Sequence, residues 1–158
     1  MRFILVDRIL SMEPGRNIHA VKILPKSEEL FLDHFPGFPV VPGVFLVEMM
    51  AQASAKCLHA EGTGRGYSML GQINSATFRE WVRPGQLIDI YANVVLSREK
   101  FATTECHVAV EDQTRASAKL LFSFVPHSSF AADYCDPILE EFLHRSVQRA
   151  PLTRASLR

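Results

Sequence analysis

The sequence predicts an α+β domain: a hairpin, one long buried helix, then four antiparallel strands layered on that helix. Three observations predict it. Residues 44–60, VFLVEMMAQASAKCLHA, form an apolar run rich in alanine and methionine that suits a helix. Residues 68–125 are rich in β-branched and aromatic side chains and are broken at turn-forming positions. The first 24 residues hold two further apolar segments separated by a Pro-Gly signal.

Each element follows in chain order. FILVDRILSM (3–12) is apolar and ends at EPGRN, and IHAVKIL (18–24) alternates as a half-buried strand does, so the two are expected to pair. LPKSEELF (24–31) reads as a turn or a one-turn helix. The helix is expected over about 44–60, with a glycine-rich exit at GTGRG. That exit has no GxxxxGK and does not join a strand to a helix, so it is no phosphate cradle. Strands are expected at 68–82, 86–97, 101–111 and 115–125, in meander spacing, with breaks at Arg83-Pro84-Gly85, near 97–100 and at Glu111-Asp112-Gln113. One sheet on one helix leaves a surface needing cover, which a partner subunit can supply. Asp136 and Pro137 suit a helix start, and Ile138, Leu139, Phe142, Leu143 and Val147 make one apolar stripe near 137–149. The chain thus divides into a domain over 1–126 and an extension over 127–158, whose helix docks on its own domain or on a partner and whose tail is loose.

Composition narrows the class. The 158 residues suffice for one core, and Lys plus Arg equals Asp plus Glu at 17 each, which gives no global reason to expect nucleic-acid binding. Glu48 and Gln52 interrupt the longest apolar run, so no membrane span is expected. MRFILVDRIL carries Asp7 and no small-residue cleavage pattern, and reads as mature structure. Cys57, Cys106 and Cys135 are widely spaced without a CxxC, which fits a reducing cytoplasm better than a disulfide framework or a cysteine-rich zinc site.

The chemistry concentrates in DHFPGFPVVPGVFLVEMMAQ (33–52). Glu48, Gln52 and Lys56 fall at i, i+4 and i+8, a narrow polar stripe on an otherwise apolar helix. A carboxylate there faces solvent, or else it is buried and needs a partner. His34 precedes PGFPVVPG, whose three prolines restrict the backbone and lead to a helix N-terminus with unpaired N–H groups. A lone histidine beside aromatics is more often structural, yet a neutral histidine can serve as a base and a desolvated carboxylic acid as an acid. The residues alone do not choose a reaction.

The ordered set His34-Phe35-Pro36-Gly37-Phe38-Pro39-Val40-Val41-Pro42-Gly43, with Glu48 and Ala51-Gln52, resembles the signature of the hotdog-fold (3R)-hydroxyacyl-[acyl-carrier-protein] dehydratases, in the branch with glutamate on the central helix. Phe3–Ile9, Glu13-Pro14-Gly15, Ala76–Arg79 and Val82–Gly85 extend the resemblance to residues 3–125. It implies an antiparallel sheet wrapped around the central helix and removal of water from a 3-hydroxyacyl thioester to give a trans-2-enoyl thioester. By position, His34 abstracts the C2 proton, Glu48 assists departure of the 3-hydroxyl, and the Gly43 N–H binds the thioester carbonyl. Gln52 orients the acid or serves as structural support. Phe38, Phe45, Met49 and Phe78 are candidates for an apolar tunnel wall, although each such residue is more often plain core.

The resemblance also implies a homodimer whose protomers share active sites, commonly as a trimer of dimers (a hexamer), with no metal or organic cofactor. The partner is an acyl carrier protein, for which Arg79, Arg83, Arg98, Lys100 and Lys22 are available cations. The chain departs from the family pattern in lacking the His-Arg-x-Pro lead-in and in the longer Gly71–Ala76 stretch. Lys56 and Cys57 stand where smaller or apolar residues are commoner, and the C-terminal helix is an extension. None touches the acid and base, but they leave open a specialised lipid or polyketide pathway. A hotdog thioesterase and a non-catalytic acyl-binding or assembly subunit are the competing readings.

Overall fold

The computed structural model describes residues 3–130 and Pro137, and the side chain of Thr63 is not among those described. Among the described residues six strands form one antiparallel sheet in the order β1-β2-β4-β5-β6-β3. The C-terminal helix expected near 137–149 lies outside the described residues, apart from Pro137.

The hairpin forms as expected: β1 (Arg8–Glu13) and β2 (Asn17–Ile23) pair across a turn closed by the Arg16 N–H on the Glu13 carbonyl at 2.9 Å. The strand predicted from residue 3 begins only at Arg8: the Asp7 N–H still donates to the Val21 carbonyl at 2.8 Å, but the Phe3 and Leu5 backbones bond to Gln52 of the long helix instead. Leu5 and Val6 are buried in the core there. A single helical turn, α1 (Leu30–Asp33), precedes the loop to the long helix α2 (Gly43–Ala60).

Helix α2 buries Leu46, Val47, Met49, Met50, Ala53, Cys57 and Leu58 against the sheet. Fully burying one such large apolar side chain stabilises a fold by about 1.5–3 kcal/mol, so this face anchors the domain. The buried Ser54 hydroxyl donates to the Met50 carbonyl at 2.8 Å and meets Thr104 Oγ1 at 3.1 Å and Cys106 Sγ at 3.2 Å. A polar group inside the helix–sheet interface is thereby satisfied.

The later strands are β3 (Tyr67–Phe78), β4 (Leu87–Ser97), β5 (Phe101–Val110) and β6 (Gln113–Val125). The last three form the expected meander. Glu111 and Asp112 both take positive φ, 54° and 63°, the two-residue turn that matches strand twist. Two expectations are corrected. The first of the four strands ends at Phe78 rather than 82, since Pro84 and the turn before β4 draw the chain off the sheet and the Val82 carbonyl accepts the Val41 N–H at 2.8 Å. The meander also does not include β3. It pairs with β6 at the far edge, whereas β4 inserts between β2 and β5. Strand spacing along the chain carries no information about which neighbour a strand will choose.

Edge position has a consequence for β3. Every residue from Met69 to Phe78 is exposed, including Met69, Leu70 and Ile73. Bulges near Gly71 and Asn74 interrupt its register with β6.

Candidate active site

The loop carrying His34 is held by its own backbone. The His34 N–H donates to the Leu30 carbonyl at 3.1 Å, and the His34 carbonyl accepts from the Val40 N–H at 3.1 Å. Phe35 and Phe38 exchange N–H···O bonds of 3.3 and 2.9 Å around Gly37, whose φ of +76° disfavours a side chain. The His34–Phe35 peptide is cis, and the imidazole stacks on the Phe35 ring at 4.3 Å between centroids. His34 is half-buried, and no described residue hydrogen-bonds its ring.

Arg83 fastens this loop from outside. Its guanidinium lies 3.7 Å from the Phe38 ring centroid and donates to the Pro39 carbonyl at 3.4 Å. Phe38 in turn meets the edge of Trp81, which is 65% exposed. A cation over an aromatic face contributes about 0.5–1 kcal/mol at such a site, enough to bias the loop without freezing it.

Helix α2 starts at Gly43 with Pro42 as N-cap and no side-chain cap. Helix geometry gives the Gly43 N–H no intrahelical acceptor, so it is available to an oxygen at the helix mouth. The Phe78 ring packs against Gly43: a β-carbon there would lie 2.8 Å from Phe78 Cε1. The end of β3 therefore forms one wall of the helix mouth, and glycine is what lets the ring approach.

Glu48 lies one turn further along and is half-buried. The polar stripe it shares with Gln52 and Lys56 is covered rather than open to solvent, with Lys56 only 8% exposed. The cover over Gln52 is the N-terminal segment. Gln52 Oε1 accepts the Leu5 N–H at 2.8 Å, and Nε2 donates to the Phe3 carbonyl at 3.2 Å and to Glu48 Oε1 at 3.0 Å. Among the described residues no hydrogen bond or ion pair joins His34 to Glu48.

The remaining candidates separate. Met49 is wholly buried in the core, Phe45 is half-buried beside Phe3, Phe78 is exposed at the helix mouth, and Phe38 is exposed between Arg83 and Trp81. Among the cations, Lys22 pairs with Asp7 at 2.6 Å and Arg79 donates to Ser117 at 3.0 Å. Arg98 and Lys100 are exposed at the β4–β5 turn. The parts that sequence reasoning missed are the Phe3 and Leu5 backbone groups and the Arg83–Phe38 stack. Backbone groups carry no side-chain identity, so nothing in the sequence marks them. Among the described residues no cluster of three or more His, Cys, Asp or Glu is placed to hold a metal ion, and no helix is long and apolar enough to cross a membrane.

An antiparallel sheet packed on one central helix is the hotdog fold. Solved structures agree on the fold. A dehydratase heterocomplex, ApeI:P, from Xenorhabdus doucetiae superposes with a TM-score of 0.61 at 20% identity, over 79% of this chain and 85% of that one. The smu.793 protein of Streptococcus mutans, bound to acetyl CoA, gives 0.61 at 14% identity, over 80% and 96%.

Sequence similarity narrows the class further. The FabA-like domain matches residues 1–119. A 3-hydroxyacyl-[acyl-carrier-protein] dehydratase FabZ from Levilactobacillus brevis is 38% identical over 120 residues, covering 75% of this chain and 81% of the relative. The Erythrobacter litoralis protein of the same name is 41% identical over 120 residues, covering 73% and 79%. The chain belongs to the FabA-like hotdog dehydratase family.

Proposed function

We propose that this chain dehydrates a (3R)-hydroxyacyl thioester on acyl carrier protein to the trans-2-enoyl thioester, in the cytoplasm, within fatty acid biosynthesis. The observation that carries the reading is the complete set of His34, Gly43 and Glu48 in a chain similar to curated dehydratases over most of its length. The thioester carbonyl accepts the Gly43 N–H, which stabilises enolate character as the reaction proceeds. The His34 imidazole takes the C2 proton, and the C2–H electron pair becomes the C2=C3 bond. The C3–O bond breaks, and the hydroxyl leaves as water with a proton delivered through Glu48. The proton gained by His34 and the one lost by Glu48 are then rebalanced with solvent, so the enzyme returns unchanged.

The active unit in this reading is a homodimer. The exposed, partly apolar edge strand β3 supports it, since an uncovered strand edge is an open template for pairing. In the dimer, His34 of one protomer faces Glu48 of the other, and hexamers are trimers of that unit. Arg98 and Lys100, exposed at the β4–β5 turn, are the cations most open to an acidic carrier protein, whereas Arg79, Arg83 and Lys22 already hold partners within the chain.

The test is incubation with 3-hydroxyacyl thioesters of several chain lengths, on carrier protein and on coenzyme A, with enoyl product monitored. His34→Ala and Glu48→Gln are expected to lower turnover by about 100-fold or more each, the usual scale for removing a general acid or base. Wild-type-like turnover by both variants sinks the dyad. Thiol release without enoyl product marks a thioesterase, and binding without turnover marks a non-catalytic subunit.

A further inference from the structure

We propose that Arg83 and Trp81 clamp the Phe38 ring and, through it, set the position of the His34 imidazole. Arg83 is then a positioning residue for proton abstraction rather than a cation offered to the carrier protein. The proposal rests on the dehydratase reading above. It starts from what surrounds His34. No described residue hydrogen-bonds its ring, so the stack on Phe35, at 4.3 Å between centroids, is what orients the imidazole within the chain. Phe35 is in turn tied to Phe38 by the two N–H···O bonds of 3.3 and 2.9 Å. The base is therefore placed by whatever holds Phe38.

Two residues of one short segment hold it. Val82 is 1% exposed, and its carbonyl accepts the Val41 N–H at 2.8 Å, which pins the middle of residues 81–83 to the core. The Arg83 N–H donates to Gln86 Oε1 at 2.6 Å, which fixes the next position. On either side of Val82, Trp81 and Arg83 both reach Phe38. The guanidinium covers the ring at 3.7 Å from its centroid, and the indole stands perpendicular to it at 6.3 Å between centroids. Arg83 Nη1 also donates to the Pro39 carbonyl at 3.4 Å. An anchored segment thus carries both jaws of the clamp, and the loop bearing His34 meets it at Phe38, Pro39 and Val41. Each hold is modest alone, but together they act on consecutive parts of one loop.

The consequence reaches the reaction. Proton transfer from C2 requires the base within hydrogen-bond reach, and small misplacements slow it. An arginine that serves this way acts on the rate of the C2 step, whatever carries the acyl chain. An arginine that serves as a docking cation acts on affinity, and only for an acidic carrier. Kinetics separate the two roles.

The test uses the full chain and one 3-hydroxyacyl group, supplied on carrier protein and on N-acetylcysteamine, a neutral thiol. The variants are Arg83→Met, Arg83→Lys, Phe38→Leu, the Arg83→Met/Phe38→Leu double variant, and Arg83→Met in a His34→Ala background followed by single turnover. Arg83→Met is expected to lower kcat on carrier protein and kcat/KM on the neutral thioester by the same factor, about three- to tenfold. Its KM on carrier protein should stay within about twofold of wild type. Arg83→Lys keeps a cation over the ring without the planar guanidinium and should fall between wild type and Arg83→Met. Deuterium at C2 should slow Arg83→Met more than wild type, because the C2 step becomes more fully rate-limiting. Phe38→Leu should resemble Arg83→Met, with no further loss in the double variant, and Arg83→Met should change the His34→Ala rate by less than about twofold. Trp81 is the one tryptophan of the chain, so its emission reports the clamp directly and should shift in Arg83→Met.

A loss confined to KM on carrier protein makes Arg83 a docking cation and overturns the proposal. Equal fold-losses with and without His34 also overturn it, leaving Arg83 as support for the fold. A wild-type protein that binds the thioester but forms no enoyl product instead sinks the dehydratase reading, and Trp81 emission still reports whether the clamp exists.

Discussion

The Phe78 ring rests against Gly43 at the mouth of α2, so close that a β-carbon on Gly43 would lie 2.8 Å from Phe78 Cε1. Two residues 35 positions apart thus define the space above the first free N–H of the helix. A methyl at Gly43 must push the ring aside, which an exposed side chain can accommodate, so the damage falls on the helix mouth rather than on folding. Gly43→Ala is expected to lower kcat/KM by about 10–100-fold, short of the full loss of an oxyanion donor. Phe78→Ala in the Gly43→Ala background should recover much of it. Steady-state kinetics of the two single variants and the double variant decide the point: no recovery means the ring is not what the methyl strikes.

The proposed dimer makes a separable prediction at the edge strand. Ile73 on β3 is 49% exposed in the single chain, so a lysine there leaves the fold of one protomer intact. Across a subunit boundary the same charge would be desolvated opposite its own copy. Ile73→Lys should halve the mass seen in sedimentation, abolish turnover and leave the far-ultraviolet circular dichroism unchanged. An unaltered dimer would place the boundary elsewhere.

Stability should depend on pH through His107. Burial, helped by nearby His19, holds its imidazole below the ordinary histidine value of 6.5. His107 stacks on Tyr91, which stacks on His19, and His19 Nε2 hydrogen-bonds Asp89 Oδ1 at 2.8 Å. A depressed folded value means that the unfolded chain binds the proton first as pH falls. The contribution is therefore present above 6.5 and is lost as pH drops through the lower folded value. Melting temperatures at about pH 7.5 and about pH 5.5 should differ less in His107→Gln than in wild type. An identical difference would remove His107 from the account.

Gly66 supplies a stability test remote from the site. Its φ is +91°, and a β-carbon there would lie 2.0 Å from the Val125 carbonyl oxygen, a backbone atom with nowhere to go. Gly66→Ala is expected to cost about 2–4 kcal/mol in urea unfolding, by combining a disfavoured dihedral with a backbone clash. A loss under about 1 kcal/mol would mean that β6 can shift at this end.

Much of this protein is legible in its sequence. Apolar runs and turn residues placed the hairpin, α2 and the β4–β5–β6 meander, since those features depend on neighbours within a few positions. The resemblance in residues 34–52 drew attention to His34, Gly43, Glu48 and Gln52, and the family to which the chain belongs rests on similarity along most of its length. Tertiary structure decided the rest. It sent β3 to the far edge beside β6, laid residues 3–5 over Gln52 of α2, and brought Phe78 onto Gly43 and Arg83 onto Phe38. Each of these joins segments far apart in the chain. The energy that selects them is burial and hydrogen-bond satisfaction in the assembled core, which no local pattern of residues encodes. Glu48 shows the division clearly: its place on an apolar helix could be read from the chain, but the partner that orients it exists only once the N-terminal segment has docked.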